Sequence, residues 1–142
     1  MIIDGTGLVL GRLAAYAAKK ALEGETVVIV NSEKVVITGG KKFLVEEFLH
    51  KQDRGHAYNG PFFPKMADRI VKRTVRGMVP YRQERGIKAY RRVKCYLGVP
   101  EEYKNTKFET VKGADYSKLK TLNFITVNDL AKAVGKGVSI NG

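Results

Sequence analysis

At 142 residues, 44% hydrophobic and 28% charged, the chain can bury one ordinary globular core and has little room for a second. No run approaches the ~20 apolar residues of a membrane helix, and the opening Met1-Ile2-Ile3-Asp4-Gly5 lacks the basic and apolar regions of a secretory signal. The absence of both leads to the expectation of a soluble, cytoplasmic protein. One cysteine, Cys95, and two histidines, His50 and His56, exclude a disulfide framework and the usual zinc cages, while a net charge of +12 predicts an anionic partner.

The first four residues make a short apolar run that ends in Gly5 and Gly7. Beyond them Leu13, Ala14, Ala17, Ala18, Ala21 and Leu22 recur at helical spacing, with Arg12, Tyr16, Lys19 and Lys20 on the opposite face and Gly24 placed to cap the end. Thr26-Val27-Val28-Ile29-Val30-Asn31 is β-branched without polar alternation, the pattern of a central strand buried on both faces. Strand, helix and strand predict a right-handed βαβ unit. Val35-Val36-Ile37 reads as a further short strand, after which Thr38-Gly39-Gly40 turns into a helix carrying Phe43, Leu44, Phe48 and Leu49.

From about Gln52 to Pro64 periodicity stops, and Gly55, Asn59-Gly60, Pro61 and Pro64 punctuate a segment that keeps Tyr58, Phe62 and Phe63. Loops of this length in a compact domain are functional or disordered, and the aromatics predict one that packs. Lys65 to Gly77 is the clearest helix: Met66, Ile70, Val71, Thr74, Val75 and Met78 fall on one side, and Lys65, Arg69, Lys72, Arg73 and Arg76 form a basic rail on the other. After Pro80 a helix from Tyr81 to Arg92 is expected, with Arg82, Arg85, Lys88 and Arg91 at three-residue spacing and Gly86 weakening it. Val93 to Leu97 reads as a strand ending at Gly98, with Cys95 packed in it as a small hydrophobe. In the final third, Phe124 to Val127 predicts a strand and Asn128 an N-cap for a short helix through Leu130, Ala131 and Val134, stopped by Gly135. The expected organisation is a single α/β domain over residues 1–142 with a less regular extension from about residue 101.

The positive charge is regional. Residues 41–94 hold 15 of the 26 Lys+Arg but only 5 of the 14 Asp+Glu; a solvated surface does not require that concentration, which favours polyanion binding. Arginine forks suit phosphate oxygens, and Tyr58, Phe62, Phe63, Tyr81 and Tyr90 either stack on exposed bases or pack beneath the loop. With no RNA-recognition signature, KH clamp, zinc knuckle or helix-turn-helix pattern, recognition is expected through shape and backbone.

Two glycine-rich turns suggest other chemistry. Gly5-Thr6-Gly7-Leu8-Val9-Leu10-Gly11 sits where a Rossmann enzyme holds a pyrophosphate, but Leu10 stands where G-x-G-x-x-G needs glycine, and only the looser G-x-G-x-x-x-G fits. A small NADP-dependent enzyme is therefore the alternative reading, against glycines that simply make a tight turn. Gly11 precedes Arg12-Leu13, and Gly40 precedes Lys41-Lys42, so neither opens a Walker A loop. Thr38 to Lys42 could hold one phosphate on backbone N–H groups and two ammonium groups, or only cap a helix. No acid–base or nucleophilic constellation emerges: His50 and His56 read as surface histidines, and Asp53 and Asp68 as partners for Arg54 and Arg69. No catalytic residue, metal, cofactor or small-molecule substrate is expected.

Val75-Arg76-Gly77-Met78-Val79-Pro80, preceded by Asn59-Gly60-Pro61 and Pro64 and followed by Val93-Lys94-Cys95-Tyr96-Leu97-Gly98-Val99-Pro100, closely resembles the L-thirteen family of large-subunit ribosomal proteins. Asp4, Gly11-Arg12-Leu13-Ala14, Val28-Ile29-Val30-Asn31 and Ile37-Thr38-Gly39 look like that family's opening blocks, so the resemblance covers about the first 100 residues. The part from Phe124 to Gly135 is more similar to the archaeal and eukaryotic branch. The resemblance implies a three-layer α/β/α fold around a mainly parallel sheet of about four strands, binding to large-subunit rRNA, and a role in early subunit assembly. It implies as neighbours other large-subunit ribosomal proteins, the third among them. It carries RNA contacts onto Lys41, Lys42, Arg54, Arg73 and Arg76. Lys65, Arg69, Lys72, Arg82, Arg85, Lys88, Arg91 and Arg92 are expected contacts from the basic-face argument instead. A regulatory RNA binder acting off the ribosome would use the same surface.

Overall fold

A computed structural model describes residues 1–55, 58, 60, 63–121 and 123–134; the expectations placed on His56, Asn59, Pro61, Phe62 and Gly135 lie outside the described residues. In chain order its elements are β1 (Ile2–Asp4), α1 (Leu10–Leu22), β2 (Val27–Val30), β3 (Val36–Thr38), α2 (Lys41–Asp53), α3 (Ala67–Arg76), α4 (Glu84–Arg92), β4 (Val93–Cys95), β5 (Phe124–Thr126) and α5 (Val127–Val134).

The sheet grows from β2. β1 and β4 flank it in parallel, in the order β1-β2-β4, with Ile3 opposite Ile29 and Ile29 opposite Cys95. All four β2 residues are buried, as an uninterrupted β-branched run in a central strand demands. The face that presents Ile3, Val27, Ile29 and Val93 shares one apolar cluster with Leu13, Ala17 and Ala21 of α1, Ile70, Val71 and Val75 of α3, and Ala89 of α4. Small residues on α1 matter here, because alanines let α1 lie close to both α3 and α4.

The α/β class and the parallel sheet agree with expectation, but the strands divide three and two rather than forming one sheet of four. Only a 3-10 turn, Ser32–Lys34, separates β2 from β3, and a parallel neighbour needs a crossover of a dozen or more residues. β3 therefore pairs antiparallel with β5, Ile37 opposite Ile125. The helices divide likewise. α2 and α5 pack on each other and on this ribbon around Leu44, Ile125, Leu130 and Val134, while α5 also reaches α3.

The segment after β4 is irregular, yet it is tied to the front of the chain. Glu109 exchanges backbone bonds with β1, donating to the Ile2 carbonyl at 2.8 Å and accepting from the Asp4 N–H at 3.1 Å. Val9 N–H donates to the Ala114 carbonyl at 2.7 Å, and Arg12 Nη1 donates to the Gly113 carbonyl at 2.8 Å. At α5 the cap differs from the sequence reading. The helix begins at Val127, so Asn128 lies inside it, and the Thr126 hydroxyl accepts the Asp129 N–H at 3.2 Å in the capping role.

Candidate nucleic-acid interface

The basic rail is built by α3. Ala67, Ile70, Val71 and Val75 are buried, which fixes the helix's rotation and turns Arg69, Lys72, Arg73 and Arg76 outward. Asp68 stands in its first turn and Arg73 and Arg76 in its last, the arrangement that complements the helix dipole. Met66 and Met78 are exposed, contrary to the amphipathic reading. They lie beyond the helix ends, where the 100° spacing no longer governs direction.

Aromatic rings support these cations. The Arg76 guanidinium lies 4.2 Å from the centre of the Tyr81 ring, with Arg82 5.8 Å from the same ring. Arg73 sits 5.2 Å from the Phe63 ring and the Lys72 ammonium 4.9 Å from that of Tyr90. Stacking of this kind holds a cation in place without neutralising it. Among the described residues, the ion pairs are Lys20 with Glu23 and Glu25, Lys51 with Glu47, and Lys88 with Glu84, so no carboxylate there pairs with Arg69, Lys72, Arg73, Arg76 or Arg82. The expected Asp68–Arg69 and Asp53–Arg54 pairs are not formed. Asp68 instead accepts the backbone N–H of Arg69 at 2.9 Å.

Gly86 brings the two halves of this face together. α4 starts at Glu84 rather than Tyr81, because residues 77–83 form tight turns in which Tyr81 N–H donates to the Val79 carbonyl and Gln83 N–H to the Pro80 carbonyl. A Cβ at Gly86 would overlap the Pro80 carbonyl group. The residue that weakens the helix pattern is thus the point of close approach that sets Tyr81 and Arg82 beside Arg76.

Other expected contacts lie apart or have other work. Lys41 and Lys42 open α2 while Arg54 follows its last residue, roughly 18 Å away at 1.5 Å per residue. Lys65 is exposed in the approach to α3, and Arg85 and Arg91 are exposed on α4. Lys88 pairs with Glu84 at 2.9 Å. Arg92 points to the end of α1, where Nη1 donates to the Ala21 carbonyl at 2.8 Å, satisfying a helix C-terminus. Lys51 was missed by the sequence reading: from the last turn of α2 its ammonium approaches the rings of Phe48 at 5.1 Å and Phe63 at 5.8 Å. The lysine three residues after an aromatic was the available signal.

At Gly5 and Gly7 the glycine turn offers no comparable opening. A Cβ on Gly5 would come within 2.8 Å of Val35 Cγ2, and one on Gly7, at φ +73°, within 3.1 Å of the Tyr116 ring. Asp4 Oδ1 accepts the Thr6 N–H, the Thr6 hydroxyl and Asn31 Nδ2 at 3.0, 2.7 and 3.0 Å. Burial raises the Asp4 pKa, and these hydrogen bonds outweigh it, leaving the carboxyl below its ordinary value. Burial pushes the Cys95 thiol up to about 12, so it is protonated at neutral pH. Among the described residues no three His, Cys, Asp or Glu side chains gather as metal ligands, and no helix is long and apolar enough to cross a membrane.

Fold and site together define a small basic α/β protein with a preformed cationic and aromatic face. The chain belongs to the ribosomal protein L13 family, whose model matches residues 1–102. Its curated relatives include proteins named large ribosomal subunit protein uL13. That of Archaeoglobus fulgidus is 44% identical over 135 residues, covering 94% of this chain and 86% of the relative. That of Methanococcoides burtonii is 44% identical over 134 residues, covering 94% and 96%. That of Haloarcula marismortui is 38% identical over 135 residues, covering 95% and 90%.

Proposed function

We propose that this chain is a non-enzymatic, structural constituent of the large ribosomal subunit in the cytoplasm. It acts as one domain that binds large-subunit rRNA and supports early subunit assembly beside neighbouring ribosomal proteins. The observation that carries the reading is the α3 face, where Arg69, Lys72, Arg73 and Arg76 present charge with no carboxylate paired to them among the described residues. Such a face neutralises phosphates where RNA strands converge, and each neutralised phosphate steepens the logarithmic salt dependence by about 0.7 to 0.9. Lys41, Lys42, Arg54, Lys65, Arg82, Arg85 and Arg91 extend the contact from other edges. The relatives' names and the coverage of both chains agree with this reading. An NADP site at the first glycine turn has no such support, because Val35 fills the space against Gly5 and Tyr116 that against Gly7.

Sedimentation of native extract through sucrose gradients, with and without ribonuclease, tests the reading. Stoichiometric travel with the large subunit and release by ribonuclease are expected. A chain that stays at the top of both gradients refutes it, and one found in lighter RNA-containing particles favours a regulatory role off the ribosome.

A further inference from the structure

Beside the basic rail lies a groove whose walls are unlike a phosphate site. Two clefts meet at Phe63, Pro64 and Arg73. The first is closed by Phe48, Ile70 and Lys51, and the second by Arg69, Lys72 and Tyr90. Among the described residues lining them there is no carboxylate. The floor is ring and aliphatic carbon, and the rim is cationic. A phosphate oxygen set against Phe48, Phe63 and Ile70 would lose water without gaining donors. A flat heterocycle suits such a floor, since every base has a π-face that stacks on aromatic rings and guanidinium planes. The cations bear on the same rings: Lys51 and Arg73 lie 5.8 and 5.2 Å from the centre of Phe63, and Lys72 lies 4.9 Å from that of Tyr90.

We infer that the groove formed by Phe48, Lys51, Phe63 and Arg73 receives a single unpaired nucleobase of the bound RNA, whose flanking phosphates meet Arg69 and Lys72 in the adjoining cleft. The inference rests on the RNA-binding reading and deepens it. The protein would then hold a bulged or looped-out nucleotide as well as neutralising a junction, because a fully paired helix keeps its bases in the stack and out of reach. Lys51 becomes a specificity residue of the site, although it belongs to α2 and not to the basic rail.

Two RNA hairpins, identical except at one bulged position, separate this proposal from the broader one. One carries 2-aminopurine at the bulge and the other an abasic ribose, so that backbone flexibility and charge are shared. The full-length protein is expected to bind the first about 5- to 150-fold more tightly, the range that base–aromatic stacking supplies, with quenching of the 2-aminopurine fluorescence. Phe63→Leu keeps an apolar side chain and removes the ring, and should abolish both the preference and the quenching. Lys51→Met should reduce the preference without changing the melting temperature by more than a few degrees. Equal affinities of the wild-type protein for the two hairpins, or a preference that survives Phe63→Leu, overturn the base site and leave the groove to a side chain from a neighbouring protein. If neither hairpin binds at low salt, the RNA-binding reading fails with it.

Discussion

Two regions of this chain look, as sequence, like places to hold phosphate: the glycine turn between β1 and α1, and the basic stretch around α3. In the fold their fates are opposite. The turn spends Gly5 and Gly7 on its own chain, the first against Val35 and the second beneath Tyr116, and its one carboxylate, Asp4, is consumed by Thr6 and Asn31. The α3 face keeps its charges unpaired by carboxylates among the described residues and supports them on rings. A glycine records only that something comes close, whereas cations held over aromatic faces without counter-charges have no evident purpose inside the monomer. The second pattern is therefore the better guide to a ligand.

Substitutions on each side can break that contrast. The largest change in binding is expected from reversing Arg69, Arg73 and Arg76 to glutamate, which should flatten the log–log salt dependence of RNA affinity by about 2 to 3. Its melting temperature should stay within a few degrees of the parent, and an unchanged slope would remove α3 from the interface. Gly86→Ala should be the most damaging single change to stability, about 3 kcal/mol, because Cβ meets the Pro80 backbone, which cannot rotate away. Thermal or denaturant unfolding reads it, and a loss below about 1 kcal/mol would show that the α3–α4 turn is not held by this contact.

On the turn, Gly7→Val should cost about 2 kcal/mol, since φ is +73° and the Tyr116 ring stands in the way. The salt slope should be untouched; a flattened slope would give the turn a share in binding. Arg92→Ala should cost about 1 kcal/mol by freeing the Ala21 carbonyl, again without altering the slope. The smallest effect at neutral pH concerns Cys95. Its folded pKa of about 12 exceeds the thiol's ordinary value of 9.0, so its contribution is complete below pH 9 and is lost as pH rises toward 12. Cys95→Ala and the parent should therefore lose stability in parallel up to pH 9, and the parent more steeply above it.

Legibility followed the range of the interaction. α1 could be read almost to the residue, because Leu13, Ala14, Ala17, Ala18 and Ala21 are all buried and Gly24 takes φ +104° just after the end. In α2 the same reasoning misleads: of Phe43, Leu44, Phe48 and Leu49, only Leu44 is buried, with Phe43 and Leu49 exposed. That helix packs chiefly on short α5 and the β3–β5 ribbon, a narrow support that covers one strip of it. Of the site, Arg69, Lys72, Arg73 and Arg76 were legible as one face of one helix. The use of Arg92 as a cap and the arrival of Lys51 beside Phe63 were not, since both join residues distant along the chain or on separate elements.

What the sequence determined by itself was whatever depends on neighbours within a few residues: the βαβ opening, the amphipathic α3, the regional charge and the family blocks. Tertiary structure alone decided how those pieces face one another. The five-residue step from Val30 to Val36 is too short for a parallel crossover and sends β3 to β5 instead. The missing side chain of Gly86 lets the Pro80 turn close on α4, and that closure puts Tyr81 under Arg76. Periodicity encodes which side of an element is apolar, but partner choice depends on loop length and on the volume left between backbones, and those are settled only when the whole chain packs.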